Sequence, residues 1–286
     1  MNAILDRRLH AFRPDLADAR LEGRVEAARY VEGELAHLIV PVADLRPEPN
    51  LGKGIDTQVL YGETLRVFDR ADGWAWVMCE ADSYVGYLPA DALGPGPATV
   101  THIVTRPRTF VYPGPDLRFP RVTALSMGSR IAVTGEAETR GTRYFILADG
   151  TAVIAGHCRA IGDAPALDAV GFAETLIETP YLWGGRSGFG IDCSGLAQMG
   201  LAMAGKAAPR DSDMQGAHLG RLIEPEADGL MRGDLVFWKG HVAFMEDERT
   251  ILHASGATMS VTREPLAEAI RRIASQYGAP SCYRRP

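Results

Sequence analysis

The chain has 286 residues, more than the roughly 100–150 of one ordinary domain, so we expect two or three domains. With 46% hydrophobic and 23% charged residues, it has the composition of a globular protein and is too apolar to be disordered. The formal net charge of −6 argues against nucleic acid or anionic lipid as a partner.

The first ten residues contain several charges and no apolar stretch of the kind that a secretory signal requires. No apolar run elsewhere approaches the ~18 residues of a membrane span, so we expect a cytoplasmic protein that does not cross a membrane. The four cysteines are widely scattered and include no Cys-x-x-Cys pair. We therefore expect neither disulfides nor a zinc site, and no cofactor.

An N-terminal extension is predicted at residues 1–35. Its apolar residues between Leu21 and Val31 follow the spacing of one helix face among charged neighbours. We therefore expect a helical extension that packs on another part of the protein.

Short strand-like runs broken by proline and glycine follow this extension, at intervals of ~8–12 residues that are typical of small β-barrels. A turn glycine followed by a strand occurs twice, at Gly62–Val67 and at Gly128–Val133, and each copy is followed by an aromatic-rich strand. This order resembles bacterial SH3-like domains. We predict two SH3-like barrels, at residues 36–95 and 96–163.

The last domain is predicted at residues 164–286. A helical stretch opens it, and four glycines between positions 184 and 190 lead into a helix that begins near Cys193 and stops at Gly205. A final helix is predicted to be capped by Thr262 and to end at Gly278. The strands between these helices are predicted at Asp234–Trp238, His241–Met245 and Thr250–His253.

Cys193 is the candidate nucleophile of this domain. A thiol becomes nucleophilic when its thiolate is stabilised, and the first turn of a helix does this through unpaired N–H groups and the positive dipole end. The glycine-rich approach supports the same interpretation, because a chain that turns sharply and admits a substrate backbone needs residues without Cβ. A buried structural cysteine is the alternative, which the flanking sequence makes the weaker one.

The candidate base is a histidine on a rigid element, and His241 and His253 lie on neighbouring predicted strands. If the turn between them centres on residues 247–249, antiparallel pairing places His253 opposite Ala243, on the same face as His241. Cys193 can then attack, His241 can exchange the proton and His253 can orient the ring of His241. A shift of one residue in this register would move His253 to the opposite face.

Six segments of the last domain occur in an order typical of one family: Tyr181-Leu-Trp-Gly-Gly, Asp192-Cys-Ser-Gly195, Pro209-Arg-Asp-Ser-Asp-Met-Gln215, Gly233-Asp-Leu-Val-Phe-Trp238, Gly240-His-Val242 and Leu252-His-Ala-Ser255. Together they resemble the NlpC family of bacterial cell-wall cysteine peptidases. The resemblance implies an α+β, papain-like catalytic domain with a Cys-His-His arrangement. It also implies cleavage between γ-D-glutamate and the diamino acid, diaminopimelate or lysine, of murein stem peptides.

The same resemblance assigns roles to single residues. It makes Cys193 the nucleophile, His241 the base and His253 the third polar member. It places the phenol of Tyr181 at the scissile bond, near the oxyanion. The residues that it places along the substrate groove are Trp183, Asp192, Ser194, Asp211 and Ser212.

Two SH3-like domains and the absence of a secretion signal make the chain similar to family members that recycle small murein peptides. In such members the first barrel closes one end of the groove, so that only a free N-terminal L-alanine fits. Asp211 would then hold the ammonium group by a charge-assisted hydrogen bond. Tyr84 and Glu63 are candidates in the first barrel for binding substrate. A barrel-surface tyrosine and a solvated glutamate fit the sequence equally well.

Two other functions remain compatible with the sequence. One is a different reaction on the same fold, such as that of an amidase or acyltransferase, since a fold does not dictate its substrate. The other is a non-catalytic murein-binding or scaffold protein. The joint presence of Cys193, His241 and His253 argues against a scaffold, because binding requires none of them.

Overall fold

The structure is a computed structural model that describes residues 5–286. Residues 1–4 of the predicted N-terminal extension lie outside the described part. The chain divides into two compact units between Asp163 and Ala164, where the sequence predicts the last domain to begin. Among the described residues, no helix is both long enough and apolar enough to span a membrane.

The first unit consists of short strands and three-residue 3₁₀ helices. Its strands are β1 (Ala17–Asp18), β2 (Tyr30–Val31), β3 (Glu34–Leu38), β4 (Val42–Leu45), β5 (Thr57–Leu60), β6 (Thr64–Ala71), β7 (Trp74–Cys79), β8 (Val85–Pro89), β9 (Leu93–Pro95), β10 (His102–Val104), β11 (Arg108–Tyr112), β12 (Thr123–Ser126), β13 (Arg130–Ile131), β14 (Val133–Thr139), β15 (Thr142–Leu147), β16 (Ala152–Ile154) and β17 (Cys158–Ala160). The 3₁₀ helices are Ala19–Leu21, Ala90–Ala92 and Ala155–His157.

The prediction of a helical extension at residues 1–35 is wrong for the part that the structure describes. Within that part only the 3₁₀ helix Ala19–Leu21 is helical, and β1 pairs with β2 in parallel. Gly23 and Gly33 adopt φ values of 75° and 71°, a left-handed conformation that terminates a helix. The extension does pack on its own unit, because apolar side chains from it join the cluster around Trp76.

Apart from the small sheet β1-β2, the strands of the first unit form two groups, each around its own apolar core. The first group comprises the sheet β8-β7-β6-β3-β9 and the hairpin β4-β5, and its core includes Leu65 and Val77. The second comprises the sheets β12-β11-β16-β15-β14 and β13-β10-β17, and its core includes Leu125 and Val153. The two cores correspond to the two predicted β domains.

The prediction that each group closes into a barrel is wrong, because each is split into separate sheets. The hairpin β4-β5 reaches β8 only through an isolated bridge between Arg46 and Tyr87. In the second group, β10 pairs with β13 and β17 in a three-stranded sheet of its own. A β-bulge between Val67 and Asp69 interrupts the pairing of β6 with β7, and such bulges bend strands and break ladders. The sheets therefore remain open.

The second unit contains the helices and the larger antiparallel sheet. Its helices are α1 (Ala169–Glu174), α2 (Cys193–Met203), α3 (Ser212–His218), α4 (Pro225–Asp228) and α5 (Leu266–Tyr277). Its strands are β18 (Arg186–Ser187), β19 (Gly190–Ile191), β20 (Arg221–Ile223), β21 (Leu235–Trp238), β22 (His241–Met245), β23 (Thr250–Ser255), β24 (Ser260–Pro265) and β25 (Cys282–Arg285).

The central sheet of this unit has the order β20-β25-β21-β22-β23-β24. Helix α5 packs through Ile273 on the sheet face that presents Val236 and Ala243. Helix α2 approaches the ring of Phe244 at Gly200, on the other face, because successive side chains of a strand alternate. The sheet is therefore covered by helices on both faces, since α3 also packs at Gly216 on the ring of Phe237, beside α2. The α+β prediction holds for this unit.

The structure corrects the predicted start of the last helix. Thr262 does not cap it but lies in β24, where it pairs with His253 of β23. The pairing of β24 extends from Ser260 to Pro265, so the chain stays extended until the helix begins at Leu266. The predicted end at Gly278 is confirmed by its φ of 85°, which is typical of a glycine that follows a helix.

Candidate active site

Helix α2 begins at Cys193 because Asp192 caps it. The carboxylate of Asp192 accepts a hydrogen bond of 2.7 Å from the backbone N–H of Gly195, and such a cap satisfies one of the free donors at a helix start. The predicted helix start at Cys193 is thus confirmed. The side chain of Cys193 is buried, with 7% of the residue surface exposed.

The glycine-rich loop before Cys193 packs directly on the first turn of α2. A Cβ added to Gly195 would lie 2.4 Å from the carbonyl oxygen of Gly185, and one added to Gly185 would lie 2.6 Å from the carbonyl oxygen of Gly190. Real Cβ atoms do not approach backbone oxygen so closely. These two positions therefore require glycine for close packing.

Asp192 and Ser194 are buried against Arg210, which the sequence analysis did not identify as a site residue. The guanidinium of Arg210 donates to both carboxylate oxygens of Asp192, at 3.0 and 2.7 Å, and to the hydroxyl of Ser194 at 2.8 Å. Gly184 also donates its N–H to Asp192, at 2.9 Å. Asp192 and Ser194 thus hold the loop and α2 together, and their role in lining the substrate groove stays a prediction.

Burial dominates the electrostatics of the candidate nucleophile. It raises the pKa of the Cys193 thiol to about 12, and the negative charge of Asp192 acts in the same direction. The backbone N–H groups of Ser194 and Val242 point at the sulfur and act against this shift. The helix start therefore offsets the cost of burying a thiolate only in part.

The two candidate histidines meet as the sequence predicts. Phe244 pairs with Leu252 and Met245 with Ile251, which is the register that puts His253 on the face of His241. Nε2 of His241 lies 2.8 Å from Nδ1 of His253. The rings meet edge to face, with centroids 5.0 Å apart and an interplanar angle of 69°.

Cys193 lies at the end of β22 that carries His241. Its sulfur is 4.0 Å from the carbonyl oxygen of Gly240, and the N–H of Val242 points at the sulfur. Gly240 and Val242 are the two neighbours of His241 in the chain. Because Nε2 of His241 is bonded to His253, Nδ1 is the ring nitrogen that remains for the thiol.

Burial lowers the pKa of His241 to about 3. A neighbouring positive charge, from a protonated His253 or from Arg272, acts in the same direction, whereas the carboxylate of Glu264 opposes it. The imidazole of His241 is therefore neutral at physiological pH in the free protein. A neutral imidazole can accept the proton of the thiol.

Glu264 and Arg272 extend this arrangement and were not identified from the sequence. Oε1 of Glu264 lies 2.9 Å from Nε2 of His253, off the N–H direction, so the contact is bent. Arg272 of α5 contacts the same oxygen of Glu264. The sequence gives no signal for this pair, because it arises only when β24 is paired with β23.

Residues 178–277 match the NlpC/P60 family, and residues 45–93 match the family described as the bacterial dipeptidyl-peptidase SH3 domain. The second unit is an NlpC/P60 domain. The predicted papain-like domain with an SH3-like domain before it is thereby confirmed, while the SH3-like nature of residues 96–163 stays a prediction.

Relatives resemble the chain across both units. It is 28% identical over 240 residues to dipeptidyl-peptidase 6 of Lysinibacillus sphaericus, covering 77% of this chain and 87% of that protein. It is 28% identical over 245 residues to a γ-D-glutamyl-L-lysine dipeptidyl-peptidase of Bacillus cereus, covering 74% of this chain and 71% of that protein. A crystal structure of an NlpC/P60 family protein from Bacillus cereus has a TM-score of 0.72 at 22% identity, over 88% of this chain and 99% of that chain. This last similarity shows the fold.

A cleft of about 500 Å³ opens beside the histidines of the NlpC/P60 domain. Its walls include Tyr181, Trp183, His241, His253 and Arg272. Burial raises the pKa of Tyr181, and the nearby Cys193 and Asp192 act in the same direction. Its phenol is therefore protonated at neutral pH and can donate a hydrogen bond. Trp183 is 70% exposed and presents an open aromatic surface.

Four predicted site residues remain, two in each unit. Asp211 and Ser212 are half-buried at the start of α3, next to Arg210. In the first unit, Tyr84 and Glu63 are buried, with 3% and 8% of their surfaces exposed. Tyr84 belongs to the apolar core of the first strand group. Their role in binding substrate stays a prediction, and the alternative of exposed side chains is wrong.

Proposed function

We propose that the chain is a cysteine peptidase that hydrolyses the bond between γ-D-glutamate and the diamino acid of murein stem peptides. The observation that carries this proposal is the placement of Cys193 at the end of the strand that bears His241, with His241 bonded to His253. The Bacillus cereus relative, named for action on γ-D-glutamyl-L-lysine, supports the substrate class.

The reaction follows from the neutral resting pair. As the sulfur of Cys193 attacks the γ-carbonyl carbon, its proton passes to His241, which later gives it to the departing amine of the diamino acid. Water then hydrolyses the thioester, with His241 as the base. His253 holds the ring of His241 in place, and the phenol of Tyr181 donates a hydrogen bond to the oxyanion.

The decisive experiment is incubation of the protein with L-Ala-γ-D-Glu-diaminopimelate. We expect release of L-Ala-D-Glu, loss of activity in Cys193→Ala, and retained activity in the control Cys282→Ala, whose thiol lies in β25. Release of ammonia, or transfer of the acyl group to another amine, would favour an amidase or acyltransferase. An inert wild type that still binds murein would favour the scaffold function.

We further propose that the substrate requires a free N-terminal L-alanine, whose ammonium group Asp211 binds. Acetylation of this amine removes its charge and is expected to abolish cleavage, and Asp211→Asn is expected to raise KM for the free peptide. The matched control is Glu268→Gln, an exposed residue of α5. Equal rates on free and acetylated peptides would contradict the requirement and leave a general endopeptidase.

A role in recycling murein peptides in the cytoplasm is part of this proposal. A requirement for a free amine would restrict the enzyme to peptides already released from the wall, which is the chemistry of recycling. Cell fractionation of the producing bacterium tests the location. Activity found only in the extracellular fraction would contradict the cytoplasmic role.

A further inference from the structure

The catalytic histidines are connected to an acidic side chain that no role yet explains. His253 is 1% exposed. Its Nδ1 faces His241 at 2.8 Å and its Nε2 faces Glu264 at 2.9 Å. Each ring nitrogen of His253 thus has a polar neighbour: the base lies at Nδ1, and a carboxylate lies in a bent contact at Nε2.

We propose that Glu264 is a positioning residue that selects the tautomers of His253 and His241, so that Nδ1 of His241 is left as the acceptor for the thiol proton. This inference rests on the proposed roles of Cys193 and His241. Glu264 acts through His253 and needs no contact with the substrate.

The tautomers follow from the order of donors and acceptors. An ionised carboxylate has only lone pairs, so Nε2 of His253 must carry a proton where it faces Glu264. A neutral His253 then presents the lone pair of Nδ1 to His241. Nε2 of His241 must therefore carry its proton, and the free lone pair of His241 is on Nδ1. The opposite tautomers would set the lone pair of His253 against the carboxylate.

Glu264 is held ionised by its neighbours. Burial alone raises the pKa of Glu264, but the contacts with His253 and Arg272 outweigh burial and lower it. Arg272 comes from α5, while His241, His253 and Glu264 come from three adjacent strands.

The same arrangement stabilises the charge that forms during the reaction. When His241 takes the thiol proton, it becomes positively charged. His253 lies between this imidazolium and the negatively charged carboxylate of Glu264. A carboxylate behind a catalytic histidine both fixes its tautomer and stabilises its imidazolium form, and loss of that carboxylate in a serine protease triad costs about 10⁴-fold in kcat. We expect a smaller loss of about tenfold or more for Glu264, because one imidazole separates it from the base.

The test compares Glu264→Gln with the control Glu268→Gln in the full chain. Glutamine keeps the shape but loses the charge, and it can either accept from or donate to His253. We expect a fall in kcat with KM unchanged, and partial recovery in Glu264→Asp. Nitrogen-15 NMR of the histidine rings is expected to show Nε2–H in both histidines of the wild type, and mixed tautomers in Glu264→Gln.

The NMR result separates this inference from the proposed function, since it requires no turnover. Protonated Nδ1 of His253 in the wild type would overturn the inference even if Glu264→Gln fails to fold. Wild-type kcat in a folded Glu264→Gln protein would overturn it as well. Nε2–H tautomers in a wild type that cleaves no peptide would support the role of Glu264 and contradict the proposed function alone.

Discussion

At the scale of single residues, the main finding is that Cys193 and His241 rest as a neutral pair. The helix start before α2 favours a thiolate, yet burial raises the pKa of Cys193 to about 12 and lowers that of His241 to about 3. Removing a charge from water costs more than one helix end returns. We therefore expect proton transfer to accompany attack on the substrate rather than to precede it.

This neutral pair predicts the pH dependence of alkylation at Cys193. The thiol pKa is raised, so the thiolate fraction grows about tenfold per pH unit across the neutral range. We expect the rate with iodoacetamide to rise without a plateau from about pH 6 to about pH 9, measured in Cys282→Ala with Cys193→Ala as the blank. A plateau that begins near pH ~5 would instead indicate a preformed thiolate–imidazolium pair.

At the scale of elements, the position of Cys193 depends on the contact between the glycine-rich loop and α2. The contact leaves no room for a side chain at Gly195. The ion pair of Asp192 with Arg210 stabilises the loop and the start of α2. The close packing at Gly195 and the ion pair at Arg210 can each be changed by one substitution that leaves the reacting side chains in the protein.

Gly195→Ala is expected to lower activity by displacing the nucleophile. The added Cβ would lie 2.4 Å from the carbonyl oxygen of Gly185, so the loop or the helix start must move. A shift of about 1 Å in a reacting group costs about 100-fold in rate. The assay is kcat/KM on the tripeptide, with Ala202→Ser on the exposed side of α2 as the control. Wild-type kinetics in Gly195→Ala would show that the loop adapts freely.

Arg210→Ala is expected to destabilise the domain by about 3–5 kcal/mol, because it leaves the buried carboxylate of Asp192 without its partner. The side chain of Arg210 is 1% exposed. Arg221→Ala, which breaks an exposed pair with Asp228, should change stability far less, because water and salt screen an exposed pair. Urea unfolding measures both. Equal effects of the two substitutions would refute a special role for the buried pair.

At the scale of the whole molecule, the chain is two compact units that divide between Asp163 and Ala164. The second unit has its own sheet and its own apolar cores. Cys193, His241 and His253 all belong to it. The chemistry therefore resides in one unit.

A fragment of residues 164–286 is expected to fold alone and to keep the histidine pair. Its sheet hydrogen bonds and core contacts are internal to the unit, and autonomous folding is the property that defines a domain. A cooperative thermal transition, together with the NMR signature of the His241–His253 bond, would support this. A fragment without a cooperative transition would show that the catalytic fold needs the first unit.

Local signals in the amino-acid sequence are enough to predict several features of the site. Asp192 and the glycines place the start of a helix at Cys193, and the short turn after Met245 sets the register of β22 and β23. These signals are local because a cap, a tight turn and a strand period each act within a few residues. The same segments also carried the family resemblance.

Other features depend on pairing between distant segments and on burial, and these could not be predicted before the folded structure was known. The contact of Glu264 with His253 requires β24 beside β23, in a stretch where the sequence predicts a helix. The pairing of Arg210 with Asp192 joins residues whose separation in the chain gives no signal, and the open sheets of the first unit depend on where ladders break. The neutral state of Cys193 was also invisible in the sequence, because the free energy of charging a group depends on how completely the fold removes water from it.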